Sequence, residues 1–380
     1  MKNKKVSILY VDPLIAVGGQ EIYLINLIKN LNNKNYTIHL SCSTKSPFIE
    51  ELKKLEGLKL QLLSYSSKFS LLSILKLRYY IRENGIQLVH LNGNRAGLLG
   101  RISCILLDTK IIFTPHSLLI NYKYYINKIF FKIYLLIDRI LNHFTNVLIT
   151  VSDEQKKQLI KHKHITSNKV IRVYNGIDIN RFKKVNIPNN QVSTTFGYVG
   201  RLIKEKGVKD LLICFEQLLN DDNNCKLLYI GDGPYLKKLN QNIFKMGIED
   251  KVQCVGNKTQ IDEILRTFDI FVLPSYAEGL PLSILEAMAS ELPVIASTVN
   301  GIPEIIKHNY NGLMHEPGDL KMLYNNMKYL LKNNQLRKKI GHNARNTVVK
   351  TFSLDAMIRN TENIYHAELN KGISIATNYK

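Results

Sequence analysis

The chain has 380 residues, 45% hydrophobic and 22% charged, enough for two ordinary domains with a core each. Its net charge of +21 suits nucleic acid, an anionic membrane surface or a phosphate-bearing substrate, unless the lysines merely decorate solvated helices. No apolar run nears the roughly 20 residues that span a bilayer, and the scattered cysteines (Cys42, Cys104, Cys214, Cys225, Cys254) argue against a disulfide framework or zinc ribbon.

The start, MKNKKVSILYVD, joins a basic flank to an apolar segment only as long as a strand. It lacks the longer apolar region and cleavage site of a signal peptide, so a cytoplasmic location is expected. Strand-like runs follow at 6–11, 37–43, 58–64, 87–92, 110–116, 147–152 and 170–175, with helical spacing between them, as in EIYLINLIKNL. His162 and His164 lie in a basic stretch without acidic or Cys neighbours, and no metal site is expected there. Residues 178–194 are polar, contain a Pro and lack periodicity, which marks a linker. The pattern restarts at 195–200, 226–231, 252–256, 270–275 and 293–297. Such alternation predicts an α/β chain of two doubly wound, Rossmann-like domains facing a central cleft, with ligands beyond the carboxyl ends of the strands.

Several candidate residues fall at those strand ends. Gly18 and Gly19 open a helix after the first strand, where backbone N–H groups can approach an anion; a plain turn explains them equally. The pair is neither G-x-G-x-x-G nor a Walker loop, which weighs against a nicotinamide enzyme. His116 ends the run IIFTPH and fits either a structural or a site histidine. The segment 121–141 is rich in Tyr, Ile and Phe, with Lys123, Lys128, Lys132 and Arg139 interspersed. It suits an interfacial helix on anionic lipid or a packed helix with snorkelling lysines.

In the second half, Arg201 follows a strand and Lys206 precedes Gly207 and a helix. A planar fork and a point charge at one strand end suit a diphosphate. Gly231, in YIGDGP, needs no more than a tight turn. In YAEGLPLSILEAMA, Pro281 suits a first helical turn, and Gly279 and Leu280 would offer N–H groups at its N-terminus. Glu278 and Glu286 can accept hydrogen bonds from sugar hydroxyls. A glycosidase would also pair carboxylates, but it would not need the Arg201/Lys206 cradle.

Together these segments resemble glycosyltransferase family 4, retaining nucleotide-sugar transferases of the GT-B fold. The resemblance runs through GGQE (18–21), VHLN (89–92), FTPHS (113–117), VYNGID (173–178), GRLIKEKG (200–207), GDGP (231–234), FVLPSYAEGLPLSILEAMA (271–289), PVIAS (293–297) and NGIPEII (300–306). It implies an acceptor-binding domain over 1–185, a donor domain over 194–350, and a helix with tail over 351–380 that returns to the first domain. It also implies that Glu278 holds donor-sugar hydroxyls, Glu286 the ribose, and Arg201 and Lys206 the diphosphate. The amides of Gly279 and Leu280 and the loops at Gly18–Gly19 and Gly231 would meet the donor. Gly256, Asn257 and Lys258 would form the base-binding loop. His116 would stand near the reacting sugar, and Asn92 and Asn94 near the acceptor, Asn92 replacing a frequent second His. Glu291 and Asn300 stand where the family commonly has Gly.

The activity so implied is retaining transfer from a nucleotide-diphosphate sugar, expected to be a UDP-sugar, to a hydroxyl of a glycan or lipid-linked acceptor. The setting would be cell-surface polysaccharide or glycolipid synthesis, without metal or other cofactor and without nucleic acid. Peripheral association with the inner membrane face would fit. A nucleotide-sugar epimerase of GT-B shape and a basic nucleic-acid- or membrane-binding protein are the alternatives.

Overall fold

Long Val/Ile/Leu-rich runs buried on both faces are what a parallel sheet covered by helices requires. The computed structural model describes residues 5–31, 35–65, 70–116, 128–163, 165–183 and 193–376. Lys123, His164 and part of the 178–194 linker lie outside these, as do the side chains of Lys128 and His162. Two compact units result: Met1–Tyr174 with Met357–Lys380, and Asn175–Ala356.

The first unit is built on β1 (Val6–Val11), β2 (Tyr36–Ser43), β3 (Lys59–Leu63), β4 (Leu88–Asn92), β5 (Lys110–Thr114), β6 (Val147–Thr150) and β7 (Val170–Arg172). All pair in parallel in the order β3-β2-β1-β4-β5-β6-β7. The order reverses between β1 and β4, so the chain leaves these neighbours toward opposite faces and opens a crevice at their carboxyl ends. Leu9, Val11, Val89, Leu91 and Phe113 form the centre of the core. The last helix, Leu354–Ala376, joins this unit through Tyr365, whose hydroxyl meets His90 Nδ1 at 2.5 Å and the Tyr10 hydroxyl at 3.0 Å in the interior. Burial holds His90 neutral, its pKa lowered to about 3, and so lets it join a hydrogen-bonded core network.

The second unit contains β8 (Thr194–Val199), β9 (Cys225–Ile230), β10 (Val252–Gly256), β11 (Ile270–Leu273), β12 (Val294–Ser297) and β13 (Leu313–His315). Their order is β10-β9-β8-β11-β12-β13, again all parallel, with the reversal between β8 and β11. Both sheets are thus the doubly wound type expected from the alternation. The edge strand β13 was not anticipated: its three residues, LMH, lie between polar neighbours, without the longer β-branched run that marked β7.

Candidate active site

The second unit places its candidate residues around the β8/β11 switch point. β8 ends at Val199, and the segment after it carries Arg201 and Lys206 before the helix Val208–Asp221. This segment is clamped: Leu202 N–H donates to Asp232 O at 2.9 Å, Tyr235 N–H to Leu202 O at 2.9 Å, and Tyr276 N–H to Glu205 O at 2.8 Å. Gly207 closes it at φ +67°, where a Cβ would stand 2.0 Å from the Pro274 carbonyl oxygen. A side chain there would push the cation loop off the end of β11. Gly231 has the same kind of role, since its absent Cβ would meet the Gly200 carbonyl at 2.0 Å.

Across the switch point, Lys206 Nζ reaches Glu278 Oε1 at 2.6 Å, and Ser275 Oγ donates to the same oxygen at 2.7 Å. The Glu278 carbonyl accepts from Asn300 Nδ2 at 2.6 Å, with Asn300 itself at φ +45°. Asn300 thus takes the left-handed backbone that Gly would, and adds a brace that Gly could not. Glu291, at φ +60°, holds the other such turn.

Other groups on the segments that follow β8 and β11 have unused bonding capacity. The Arg201 side chain is exposed and has no partner among the described residues. The carbonyls of Gly279 and Leu280 accept from Gly301 N–H and Asn175 Nδ2, while their own N–H groups find no acceptor among the described residues. They precede the helix Leu282–Ala289, capped by Pro281, at the end that favours an anion. Inside that helix, Glu286 is buried at 8% exposure, and its carboxylate has no hydrogen-bond partner among the described residues. Burial raises its pKa to about 7, with Arg181 partly opposing the rise. Gly256, Asn257 and Lys258 form a loop at the end of β10, with Asn257 and Lys258 exposed and Gly256 at φ +78°.

In the first unit, the β1/β4 switch point gathers Asp12, Gln20, Asn92 and His116. Gly18 caps the helix Gly19–Asn30, whose exposed first residue is Gly19. Asn92 ends β4 fully buried, donating Nδ2 to Asp12 Oδ2 at 2.6 Å and to the Gln20 carbonyl at 3.2 Å. Its Oδ1 meets His116 Nε2 at 2.6 Å. Asn92 therefore spends its amide inside the protein. Asn94, in the first turn of the next helix, is half-buried and accepts from the Tyr134 hydroxyl at 3.5 Å. His116 lies beyond the end of β5 at φ +54°, its ring edge-on to Tyr23 at 4.7 Å. Burial lowers its pKa to about 3, which keeps it neutral.

Residues 17–181 match the family described as Glycosyltransferase Family 4, and residues 179–347 match Glycosyl transferases group 1. The chain belongs to glycosyltransferase family 4. It is 25% identical to the capsular polysaccharide biosynthesis glycosyltransferase CapM of Staphylococcus aureus, over 97% of this chain and 98% of that one. It is 24% identical to the UDP-Gal:alpha-D-GlcNAc-diphosphoundecaprenol alpha-1,3-galactosyltransferase of Escherichia coli, over 96% and 97%. The fold matches that of Anabaena HepE, crystallised with UDP and glucose, with a TM-score of 0.83 at 21% identity over 95% of this chain and 100% of that one. The two parallel-sheet units are those of the GT-B fold, and the protein is a glycosyltransferase.

For a family 4 glycosyltransferase, the residues that the sequence left unremarked are Asp12, Gln20 and Ser275. Asp12 carried one local signal, a carboxylate directly after the first strand and before Pro13. Its side-chain partners lie 8 and 80 residues away, and the second is beyond the reach of spacing arguments. Among the described residues, no group of three or more His, Cys, Asp or Glu side chains is placed to hold a metal ion.

The transferase also turns an apolar stripe outward. On the helix Lys128–Leu141, the residues Ile129, Ile133, Leu136, Ile137 and Ile140 are exposed at helical spacing, with Lys132 and Arg139 exposed beside them. Its inner face carries Asp138, paired with the buried Arg101. Among the described residues, no helix is long and apolar enough to cross a membrane.

Proposed function

We propose that this glycosyltransferase moves a sugar from a UDP-sugar, with retention, to a hydroxyl of a glycan or lipid-linked acceptor in cell-surface polysaccharide or glycolipid synthesis. The observation that carries the donor assignment is the set of unspent groups at one switch point. Arg201 and the Gly279 and Leu280 amides are donors awaiting an anion, and Glu286 is a buried carboxylate awaiting hydroxyls. A nucleoside diphosphate supplies both: its phosphates suit the donors and its ribose diol suits Glu286. Gly256, Asn257 and Lys258 are assigned to the base, and Glu278 to the sugar hydroxyls. The bond that breaks joins the sugar to the diphosphate, so negative charge builds on the leaving group. Arg201, Lys206 and the two amides would stabilise that charge without a metal. His116 is assigned to the reacting sugar and Asn94 to the acceptor. The UDP named for HepE and the UDP-Gal named for the Escherichia coli relative favour uridine.

Binding of UDP tests the assignment through Glu286. The hydroxyls of a diol donate best to an ionised carboxylate, so binding lowers a pKa that burial has raised to about 7. Calorimetry near pH 6.5 is expected to show proton release on UDP binding, and affinity that rises with pH toward 8. Glu286→Gln should reduce both effects, leaving the part that belongs to the terminal phosphate of UDP, which itself titrates at about pH 6. In the unliganded protein the sign is opposite: the group's contribution to stability is complete below its usual 4.5 and is lost as the pH rises through about 7. In a thermal-shift comparison, UDP should stabilise the protein more than GDP or ADP. No stabilisation by any of the three would remove the donor assignment.

The outward stripe on Lys128–Leu141 supports a second assignment, to an anionic membrane surface where lipid-linked acceptors reside. Apolar residues would enter the interface while Lys132 and Arg139 meet acidic headgroups. Vesicles containing phosphatidylglycerol should float with the protein, and with roughly tenfold less of the Ile133→Asp/Leu136→Asp variant, given the apolar burial lost. Equal flotation of both proteins, or of neither, would overturn it.

A further inference from the structure

At the first unit's switch point, the acceptors around Asn92 fix the orientation of its amide and, through it, the proton on His116. The Gln20 carbonyl can only accept, so the Asn92 atom 3.2 Å from it must be the amide nitrogen. That nitrogen also meets Asp12 Oδ2 at 2.6 Å, where it finds a second acceptor. Asn92 Oδ1 is thereby turned toward His116 Nε2, 2.6 Å away, and a carbonyl oxygen can only accept. His116 must carry its proton on Nε2. Nδ1 is then the basic nitrogen.

We infer that Asp12 and Asn92 are positioning residues that lock His116 as the neutral Nε2–H tautomer, leaving Nδ1 to accept a hydrogen bond from a substrate hydroxyl. The anchor is well built. Asp12 is 1% exposed and receives Leu14 N–H at 2.8 Å, Gln20 Nε2 at 2.9 Å and Asn92 Nδ2. Gln20 belongs to the helix opened by Gly18 and Gly19, so one carboxylate ties the glycine loop and the histidine together. Gly93 makes room for this, since a Cβ on it would lie 2.3 Å from Gln20 Nε2. Among the described residues, the other titratable groups near the ring are Tyr23, edge-on to it, and His90, which burial keeps neutral. Neither places a charge against the imidazole, so its state follows from the Asp12–Asn92 chain.

The inference rests on the proposed role of His116 in transfer, but its test does not. In protein labelled with 15N in its imidazole rings, the His116 resonances, assigned by their loss in His116→Gln, should show the Nε2–H tautomer at pH 7. Asn92→Asp puts a carboxyl oxygen against Nε2 and, although it shares a proton with Asp12 Oδ2, 2.6 Å from the wild-type amide, should raise the imidazole pKa. Asp12→Asn frees the Asn92 amide and should mix the tautomers. With a UDP-sugar from which the wild-type protein releases UDP, UDP release by Asn92→Asp should fall about tenfold or more in kcat, with its KM little changed. An Nδ1–H tautomer or an imidazolium in the wild-type protein at pH 7 would overturn the inference. So would an Asn92→Asp variant whose His116 pKa and tautomer match the wild type. Absence of UDP binding by the wild-type protein would instead count against the proposed function, with the tautomer still deciding the positioning role.

Discussion

Replacing Lys206 by alanine is expected to lower kcat/KM for the UDP-sugar about 10³-fold, the upper range for loss of one preorganised donor at a developing anion. Two effects add. The substitution removes a cation proposed to neutralise the departing diphosphate. It also frees Glu278, 7% exposed and now bonded to Lys206 Nζ at 2.6 Å, to oppose that diphosphate with an uncompensated charge. Ser275 Oγ, at 2.7 Å, would be the hydrogen-bond donor left to Glu278. Arginine at 206 should restore charge but not geometry, because its planar fork cannot occupy the site of a point donor whose loop is closed by Gly207. Steady-state UDP release checks the rate, and thermal unfolding should show the fold intact. Full activity of Lys206→Ala would remove the cation from the mechanism.

The second large effect concerns stability. Arg101 is fully buried, with Nη2 at 2.5 Å from Asp138 Oδ1, Nε at 2.7 Å from the Gly97 carbonyl and Nη1 at 2.8 Å from Asn142 Oδ1. Its guanidinium also lies 4.6 Å from the centre of the Phe113 ring. Asp138→Ala strands that charge in the interior and should cost about 3–5 kcal/mol. For a unit of this size that is a drop in melting temperature of roughly 10 °C. Replacing both partners with apolar residues, as in Arg101→Met/Asp138→Leu, should recover most of the loss, since the penalty belongs to the lone charge. Chemical denaturation of the two variants separates these cases. A loss below about 1 kcal/mol for Asp138→Ala would mean that water reaches the guanidinium and relieves its burial.

The same ion pair shows where periodicity stops being informative. Apolar residues of 128–141 at helical spacing identify a helix, yet spacing does not say whether the stripe turns inward or outward. Here Asp138 is held inward by Arg101, 37 residues away, and the isoleucines are turned out. The sequence left both readings open for that reason. His116 is a similar case. The run IIFTPH reads as one strand, but β5 ends at Thr114, and the residue after Pro115 bends to φ +54°.

Much of the architecture was legible because it is local. Buried parallel strands and the helices between them are written as short apolar runs and 3.6-residue spacing, so twelve of the thirteen strands and the doubly wound class followed from the chain alone. The cations, glycines and carboxylates at the strand ends were visible for the same reason, each being part of a strand–turn–helix step. Which of them meet was decided by strand order. Setting β1 beside β4 and β4 beside β5 brings Asp12, Asn92 and His116 within hydrogen-bond reach, and setting β8 beside β11 joins Lys206 to Glu278. Side-chain bonds extend about 3 Å, whereas these partners are separated by 24 to 80 residues of chain. Only the folded sheet closes that distance.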